Sequence, residues 1–469
     1  VKAQSKKPSA LANFVVKKKM TDLQKAIDLY HNLLDNELGR ASNELLEEQQ
    51  QRRGLFFGTR PLCTVLRPRF LTTEQYRFLQ HAIRAIMPVF SKTHTAALHD
   101  AAFRKQFALA DWEERLVTTP MPYRVPSPTA RMDSFYLPDQ GVLKFTEYNA
   151  ETPAGISYND ALSEIMAALP IMRKFERRYE MRPLPGKHHV LHALNESYRQ
   201  WGGRERPRIC ILDWKEVPTY SEFVQFDQYF KEQGYDCIIA DPRECDYRDG
   251  KLYARGYAIN IIYKRVLITE LIERGGIDHP VVRAVNEHAV CMINPFHCKV
   301  LHRKTSFAVI SDEANSELFS QDEINAISRF IPWTRSVQER FTLHEGKRID
   351  LIPFLSENKD KFVLKPSDEY GGKGIVLGWT VTKDEWQKAL MAALSEPTIV
   401  QERVEIPSEP YAGFVDGRML VIDRMLDTNP YVWYGEYMST CLTRLSTAAL
   451  LNVTAGGGST VPTFVIEER

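Results

Sequence analysis

The chain has 469 residues, 43% apolar and 26% charged, which excludes a disordered chain and suits two or three packed modules better than one core. Its 61 Lys and Arg nearly balance 60 Asp and Glu, so no global field draws it to nucleic acid or to an anionic membrane. No apolar run reaches a bilayer span, the Lys-rich start lacks a signal peptide's apolar stretch, and the seven cysteines are scattered without a CxxC spacing, so a reduced, cytoplasmic protein is expected.

Residues 1–19 form a basic arm ahead of the first periodic segment. From Thr21 the stripe Leu23, Ile27, Tyr30, Leu34 and Leu38 predicts one helix, with Thr21 and Gln24 as its capping pair and Gly54 as its stop. Thr72 and Gln75 cap a second helix striped by Tyr76, Leu79, Ile83 and Ile86, which Pro88 is expected to end. Residues 1–120 thus read as a mainly helical N-terminal region in which no chemistry is visible. Residues 121–199 follow, with strands predicted over 129–136 and 142–149 around the turn Pro138-Asp-Gln-Gly141. Strands over 208–213, 235–240 and 259–263, with a helix over 220–234, predict a small parallel-sheet module in 200–300. In 301–469 a strand over 361–365 runs into the glycine-rich stretch 366–374, so the glycines sit at a hairpin tip before a strand over 375–378. A helix over 384–394, a strand over 398–404, the glycine-rich 450–458 and a strand over 463–466 complete a mixed α/β (α+β) chain.

Two constellations carry chemistry. Alternation puts Arg131 and Asp133 on one face of their strand, and Glu147 and Asn149 on one face of theirs. Folding at the turn then brings Asp133 almost opposite Glu147. Two carboxylates and an amide oxygen suit Mg²⁺, with Arg131 beside a phosphate; a solvent-facing polar hairpin with cross-strand ion pairs would use the same residues. In the second constellation, Lys365 and Lys373 can reach a triphosphate, and Gly371, Gly372 and Gly374 let backbone N–H groups approach its oxygens. A flexible hairpin with solubilising lysines is the alternative, and no Walker loop is present. Lys304 lies where the parallel-sheet module hands over to the last third, as a surface lysine also would. His297 and Cys298 find no activating partner and read as structural.

Taken together, these motifs resemble the ATP-grasp superfamily. Glu147-Tyr-Asn149 precedes Lys365-Pro-Ser-Asp-Glu-Tyr-Gly-Gly-Lys-Gly374 by more than two hundred residues, an order that resembles the circularly permuted group that includes glutathionylspermidine synthetase. Arg131-Met-Asp133, the stretch Glu147-Tyr-Asn-Ala-Glu-Thr-Pro-Ala-Gly-Ile-Ser-Tyr158, Leu442-Thr-Arg-Leu and Asn452-Val-Thr-Ala-Gly-Gly-Gly-Ser459 are similar to the permuted "type 2" family. The resemblance covers about residues 125–469 and loosely the helical start.

The resemblance implies Asp133, Glu147 and Asn149 as metal ligands and Arg131 as the arginine beside the reacting phosphate. It implies Lys304 and Lys365 on the nucleotide phosphates, and residues 368–374 as a lid over them. Gln401, Glu402 and Val404 would lie along adenine and ribose, while Arg444 and Asn452 receive no contact. The expected activity is an ATP- and Mg²⁺-dependent ligase joining a carboxylate to an amine through an acyl-phosphate, on small-molecule or peptide substrates. No determinant for glutathione or a polyamine is recognisable. A phosphotransferase acting on a hydroxyl, or a nucleotide-binding scaffold, are the rival readings. Tyr263, Lys264 and Arg265, at the end of their strand, mark the 200–300 module as the platform for the acid substrate.

Overall fold

The computed structural model describes residues 21–369, 371–415, 417–447 and 458–469. Its helical start breaks where one helix is expected. Asp22–Leu33 and Asn36–Arg53 are separate helices, because Leu34 turns extended and the Asp35 carboxylate caps the second by accepting from Leu38 N–H. Gly54 does end that second helix, in the left-handed conformation at φ 62°. The next helix, Thr73–His99, starts with the expected Thr72–Gln75 capping box but runs straight through Pro88. Met87, Val89, Phe90 and Ala97 are buried on both sides of the proline, and that packing outweighs the hydrogen bond Pro88 cannot make. Phe90 lies 4.8 Å from Tyr148 and 5.5 Å from Phe307 between ring centroids, so the long helix backs the predicted hairpin.

That hairpin, Thr129–Leu137 with Val142–Asn149, forms the edge of a nine-stranded sheet. The Asn429–Trp433 and Tyr437–Ser446 strands continue the sheet inward. Ser459–Glu468 pairs with Tyr437–Ser446 and joins Arg69–Thr72 and Tyr179–Pro183 to the same sheet. Asp133 pairs directly with Glu147, and the next pair is Ser134 with Phe145, so a bulge leaves Thr146 without a register partner. The bulge re-aims the strand locally.

Strands Ile209–Leu212, Cys237–Ala240, Ile261–Lys264 and Cys291–Ile293 make the predicted parallel sheet, with Ile209–Leu212 between Ile261–Lys264 and Cys237–Ala240. The order reverses beside Ile209–Leu212, and the carboxyl end of the neighbouring Ile261–Lys264 meets the chain just after the hairpin, where Lys264 Nζ donates to Glu151 O at 3.3 Å. A smaller antiparallel sheet holds Thr334–Ser336, Thr398–Glu402, Phe362–Pro366 and Val376–Leu377 in that order. Alternation sorts its side chains. Phe362, Leu364 and Val400 pack on Trp386, Leu355 and Leu390, while Val363, Lys365 and Gln401 face a cleft on the other side. Among the described residues no helix is long and apolar enough to cross a membrane.

Trp386 is fully buried and donates its indole N–H to Leu355 O at 3.0 Å, which makes it the keystone under the Lys365 strand. Trp386→Ala is expected to cost about 3–5 kcal/mol of folding stability. Urea unfolding of the two proteins side by side measures it, with a clear fall in midpoint for the variant.

Candidate active site

A cleft lies between the hairpin edge of the large sheet and the smaller sheet. One wall carries Asp133, Thr146 and Glu147; the other carries Val363, Lys365, Ile375, Leu377, Trp379, Gln401, Glu402 and Val404. Asp427 and Arg444 also line it. The cleft has an apolar end and a charged end.

The charged end is organised around Asp133. Arg131 grips its carboxylate bidentately, Nε to Oδ1 at 2.7 Å and Nη2 to Oδ2 at 3.2 Å. Arg444 Nη2 donates to Oδ2 at 2.6 Å, and Asn149 Nδ2 donates to Oδ1 at 3.0 Å. Burial by itself would raise the Asp133 pKa, but the charges of Arg131 and Arg444 overcome it and hold the group down at about 2. Arg444 is aimed by a further carboxylate, since its backbone N–H and Nε both donate to Asp427, at 2.7 and 2.6 Å. Burial raises the Asp427 pKa against the pull of Arg444. Arg131 also donates to Ala154 O at 2.9 Å, and it lies behind Asp133 rather than on the cleft wall.

Glu147, directly across from Asp133, pairs with Lys304 at 3.0 Å. Burial opposes ionisation of Glu147, yet Lys304 pulls its pKa below the usual glutamate value. Lys304 also donates to Glu369 O at 2.6 Å, and its own N–H donates to Ser367 O at 2.9 Å. Lys365 donates to Gln401 Oε1 at 2.7 Å and to the carbonyl of the bulged Thr146 at 3.3 Å. Gln401 is itself fixed, because its amide nitrogen donates to Thr334 Oγ1 at 3.1 Å. Burial drops the Lys365 pKa to about 8, with the nearby Lys304 charge adding to the effect and Glu147 opposing it.

Six of the residues read from the sequence therefore meet in one network: Arg131, Asp133, Glu147, Asn149, Lys304 and Lys365. Gln401, Glu402 and Val404 lie together along the other wall. Gly371, Gly372 and Gly374 all take positive φ, between 64° and 79°, which the tight return from Pro366 to Ile375 requires. At Gly374 a side chain would also meet the Pro366 ring at 2.7 Å. Lys373 turns outward: its side chain is 75% exposed and pairs with Glu369 at 3.1 Å instead of reaching the cleft. Asn452 and Tyr370 fall outside the described residues. His297 and Cys298 are buried on backbone carbonyls, Thr119 O and Asn294 O, which fits their structural reading. Burial pushes the Cys298 thiol up to about 12.

Sequence reading passed over Asp427, which no motif flags, and left Arg444 without a contact although its Leu-Thr-Arg-Leu context stood out. Among the described residues no group of three or more His, Cys, Asp and Glu side chains forms a metal cage. The hard-oxygen donors on offer are the Asp133–Glu147 pair and the Asn149 amide.

No protein-family model matches the chain, and no curated protein does. Solved structures do. The glutathione synthetase-like effector from Globodera pallida, in its apo form, superposes with a TM-score of 0.59, covering 92% of this chain and 99% of that one at 12% identity. D-alanyl-alanine synthetase A from Vibrio cholerae O1 biovar eltor overlaps 55% of this chain and 74% of its own, with a TM-score of 0.28 and 12% identity, too slight a likeness to argue from. At 12% identity the first likeness is one of fold: this chain is built like a glutathione synthetase-like protein over nearly its whole described length.

Proposed function

We propose that the cleft binds Mg·ATP and that the protein is a circularly permuted ATP-grasp ligase, joining a carboxylate to an amine with release of ADP. One observation carries the reading. The fold brings Lys365 onto the hairpin bearing the Asp133–Glu147 pair, touching Thr146, 219 residues earlier in the chain. Supporting it are the apolar wall of Val363, Ile375, Leu377 and Trp379, whose character suits a base, and the fold shared with a glutathione synthetase-like protein.

Protein cations hold the two carboxylates: Arg131 and Arg444 on Asp133, and Lys304 on Glu147. The donor set fits Mg²⁺, since both carboxylates and the Asn149 amide supply hard oxygens and leave room for phosphate. The ion when bound would neutralise phosphate charge during transfer. An entering triphosphate would draw Lys304, Lys365 and Arg444 onto its own oxygens, freeing Asp133 and Glu147. Those three cations then stabilise the charge on the transferring phosphoryl group, while Arg131 keeps Asp133 oriented from behind. The carboxylate substrate takes the γ-phosphoryl group to form an acyl-phosphate, and an amine displaces phosphate from it. The loop from Asp368 to Gly374, anchored through Glu369 O on Lys304, would keep water from that intermediate. We assign Gln401, Glu402 and Val404 to the base and ribose, and Gly371, Gly372 and Gly374 to the phosphate side. Tyr263, Lys264 and Arg265, expected to form the platform for the acid, are buried instead, with Lys264 paired to Glu151 at 3.6 Å and Arg265 to Glu222 at 3.1 Å. They brace the carboxyl end of the parallel sheet and do not face a substrate.

Hydroxylamine tests the reaction class. With Mg·ATP and a panel of carboxylic acids, a ligase yields a hydroxamate along with ADP. Phosphorylated hydroxyl compounds without hydroxamate would make it a phosphotransferase, and failure to bind Mg·ATP in calorimetry would remove the reading altogether.

Glu147→Ala should lower Mg·ATP turnover by about 10²–10³-fold and lower the urea midpoint as well, because it strips the buried Lys304 of its carboxylate; unchanged ADP release would dismiss the metal assignment.

Lys365 gives the site a pH dependence. Its amine titrates near 8 in the free protein, and bound phosphates favour the charged form, so binding takes up a proton above that pH. ATP affinity should be flat below about pH 8 and fall as pH rises through 8 to 9.5. Lys365→Met should bind roughly 10-fold more weakly and lose that slope. Calorimetry at pH 7 and pH 9 distinguishes the two proteins.

A further inference from the structure

The carboxylate of Asp368 opens the glycine-rich loop, yet it faces away from the cleft. Lys299 Nζ donates to Asp368 Oδ1 at 2.6 Å, and Thr269 Oγ1 donates to Oδ2 at 2.8 Å. Lys299 also donates to the Thr269 hydroxyl at 2.8 Å and lies 3.5 Å from Glu151 and 3.8 Å from Glu113. Each contact reaches a different part of the fold. Glu151 follows Asn149 by two residues and accepts from Ile268 N–H. Thr269 belongs to the helix Ile268–Gly275, which leaves the carboxyl end of the parallel sheet. Glu113 comes from the helical N-terminal region and is held bidentately by Arg303.

The Lys299 side chain is only 2% exposed. A lysine so deep is tolerated because Lys264, Lys299 and Arg303 are balanced by Glu113, Glu151 and Asp368. Removing any member leaves a buried charge without its partner. The network is thus a rigid junction, and Asp368 is the glycine-loop side chain within it.

We propose that Lys299 is a positioning residue: through Asp368 it fixes the stem of the glycine loop to the carboxyl end of the parallel sheet, so that loop geometry follows the Thr269 helix. Asp368 and Thr269 are the two other parts of this latch. The proposal rests on the nucleotide reading only for its catalytic consequence. If the loop covers ATP, a loosened stem raises KM for ATP and lets water compete with the amine.

The loop supplies its own reporter, because the exposed Lys373 is a trypsin site followed by Gly374. The full-length protein is digested without nucleotide, and cleavage at Lys373 is followed by mass spectrometry. Cuts at Lys383 and Lys388, on the neighbouring helix, serve as internal controls. Asp368→Asn and Thr269→Val, which keep shape, should be cut at Lys373 roughly 10-fold faster than wild type. The urea midpoint should hold in Thr269→Val, which removes no charge, and fall in Asp368→Asn, which leaves Lys299 one carboxylate short. There the Lys383 and Lys388 controls separate loop opening from global unfolding. Lys299→Arg should be cut more slowly than Lys299→Met. Wild-type cleavage rates in both Asp368→Asn and Thr269→Val would overturn the latch. So would a change confined to Lys299→Met and accompanied by a fallen midpoint, which would make Lys299 a folding residue only. A parallel digestion with Mg·ATP separates the two claims. If ATP fails to protect wild-type Lys373, the nucleotide reading suffers, while the nucleotide-free comparison still decides the latch.

Discussion

Two carboxylates set directly opposite each other on a buried hairpin are the constraint around which this molecule is arranged. Asp133 and Glu147 are register partners, and neither can stay ionised beside the other without nearby positive charge. The cations that permit it come from four separate stretches: Arg131 from the hairpin itself, Lys304 after the parallel sheet, Lys365 from the small sheet and Arg444 from a late strand. The hairpin can therefore be completed only when all three sheets have assembled. A polar cluster that costs free energy when half built ties the formation of the site to the formation of the fold.

Such a site is also prepared for exchange. On the proposed reading, the protein cations that neutralise the carboxylates are the ones an incoming polyphosphate would recruit, and a divalent ion would replace them there. Little charge need be created or stranded during the swap. Gln401 and the bulged Thr146 keep Lys365 directed into the cleft by accepting two of its protons. The Asp427 carboxylate does the same for Arg444 through its side chain and its backbone N–H. Preorganisation of this kind lets fixed charges act on phosphate without reorganising at the moment of reaction.

How far this could be read from the sequence depended on distance along the chain. The alternation of 129–149 around a Pro-and-Gly turn placed Asp133 against Glu147 because both effects are local; only the Thr146 bulge was invisible. The parallel sheet was legible for the same reason, from short apolar runs spaced by helix. The helix continues through Pro88 because tertiary burial, not propensity, decides it, whereas the break at Leu34 rests on the Asp35 cap, a local signal hidden by an apolar spacing that continues through it. Lys373 looked equivalent to Lys365, but in the fold one faces solvent and the other the cleft. Glu113 lay in a region without any motif, and the partners that give it meaning, Lys299 and Arg303, stand nearly two hundred residues away.

The long-range partners also bear on why the glycine loop has the composition it does. Its stem is over-determined: Ser367 is held by Pro397 O and by Lys304 N–H, Asp368 by Lys299 and Thr269, and the Glu369 carbonyl by Lys304. Beyond that stem the chain must reverse within a few residues, and three glycines at positive φ accomplish it without strain. Glycine costs conformational entropy on ordering, so a loop made of it settles only where its ends are already fixed. A stem clamped by buried charges gives a loop whose position is inherited from the sheets below it.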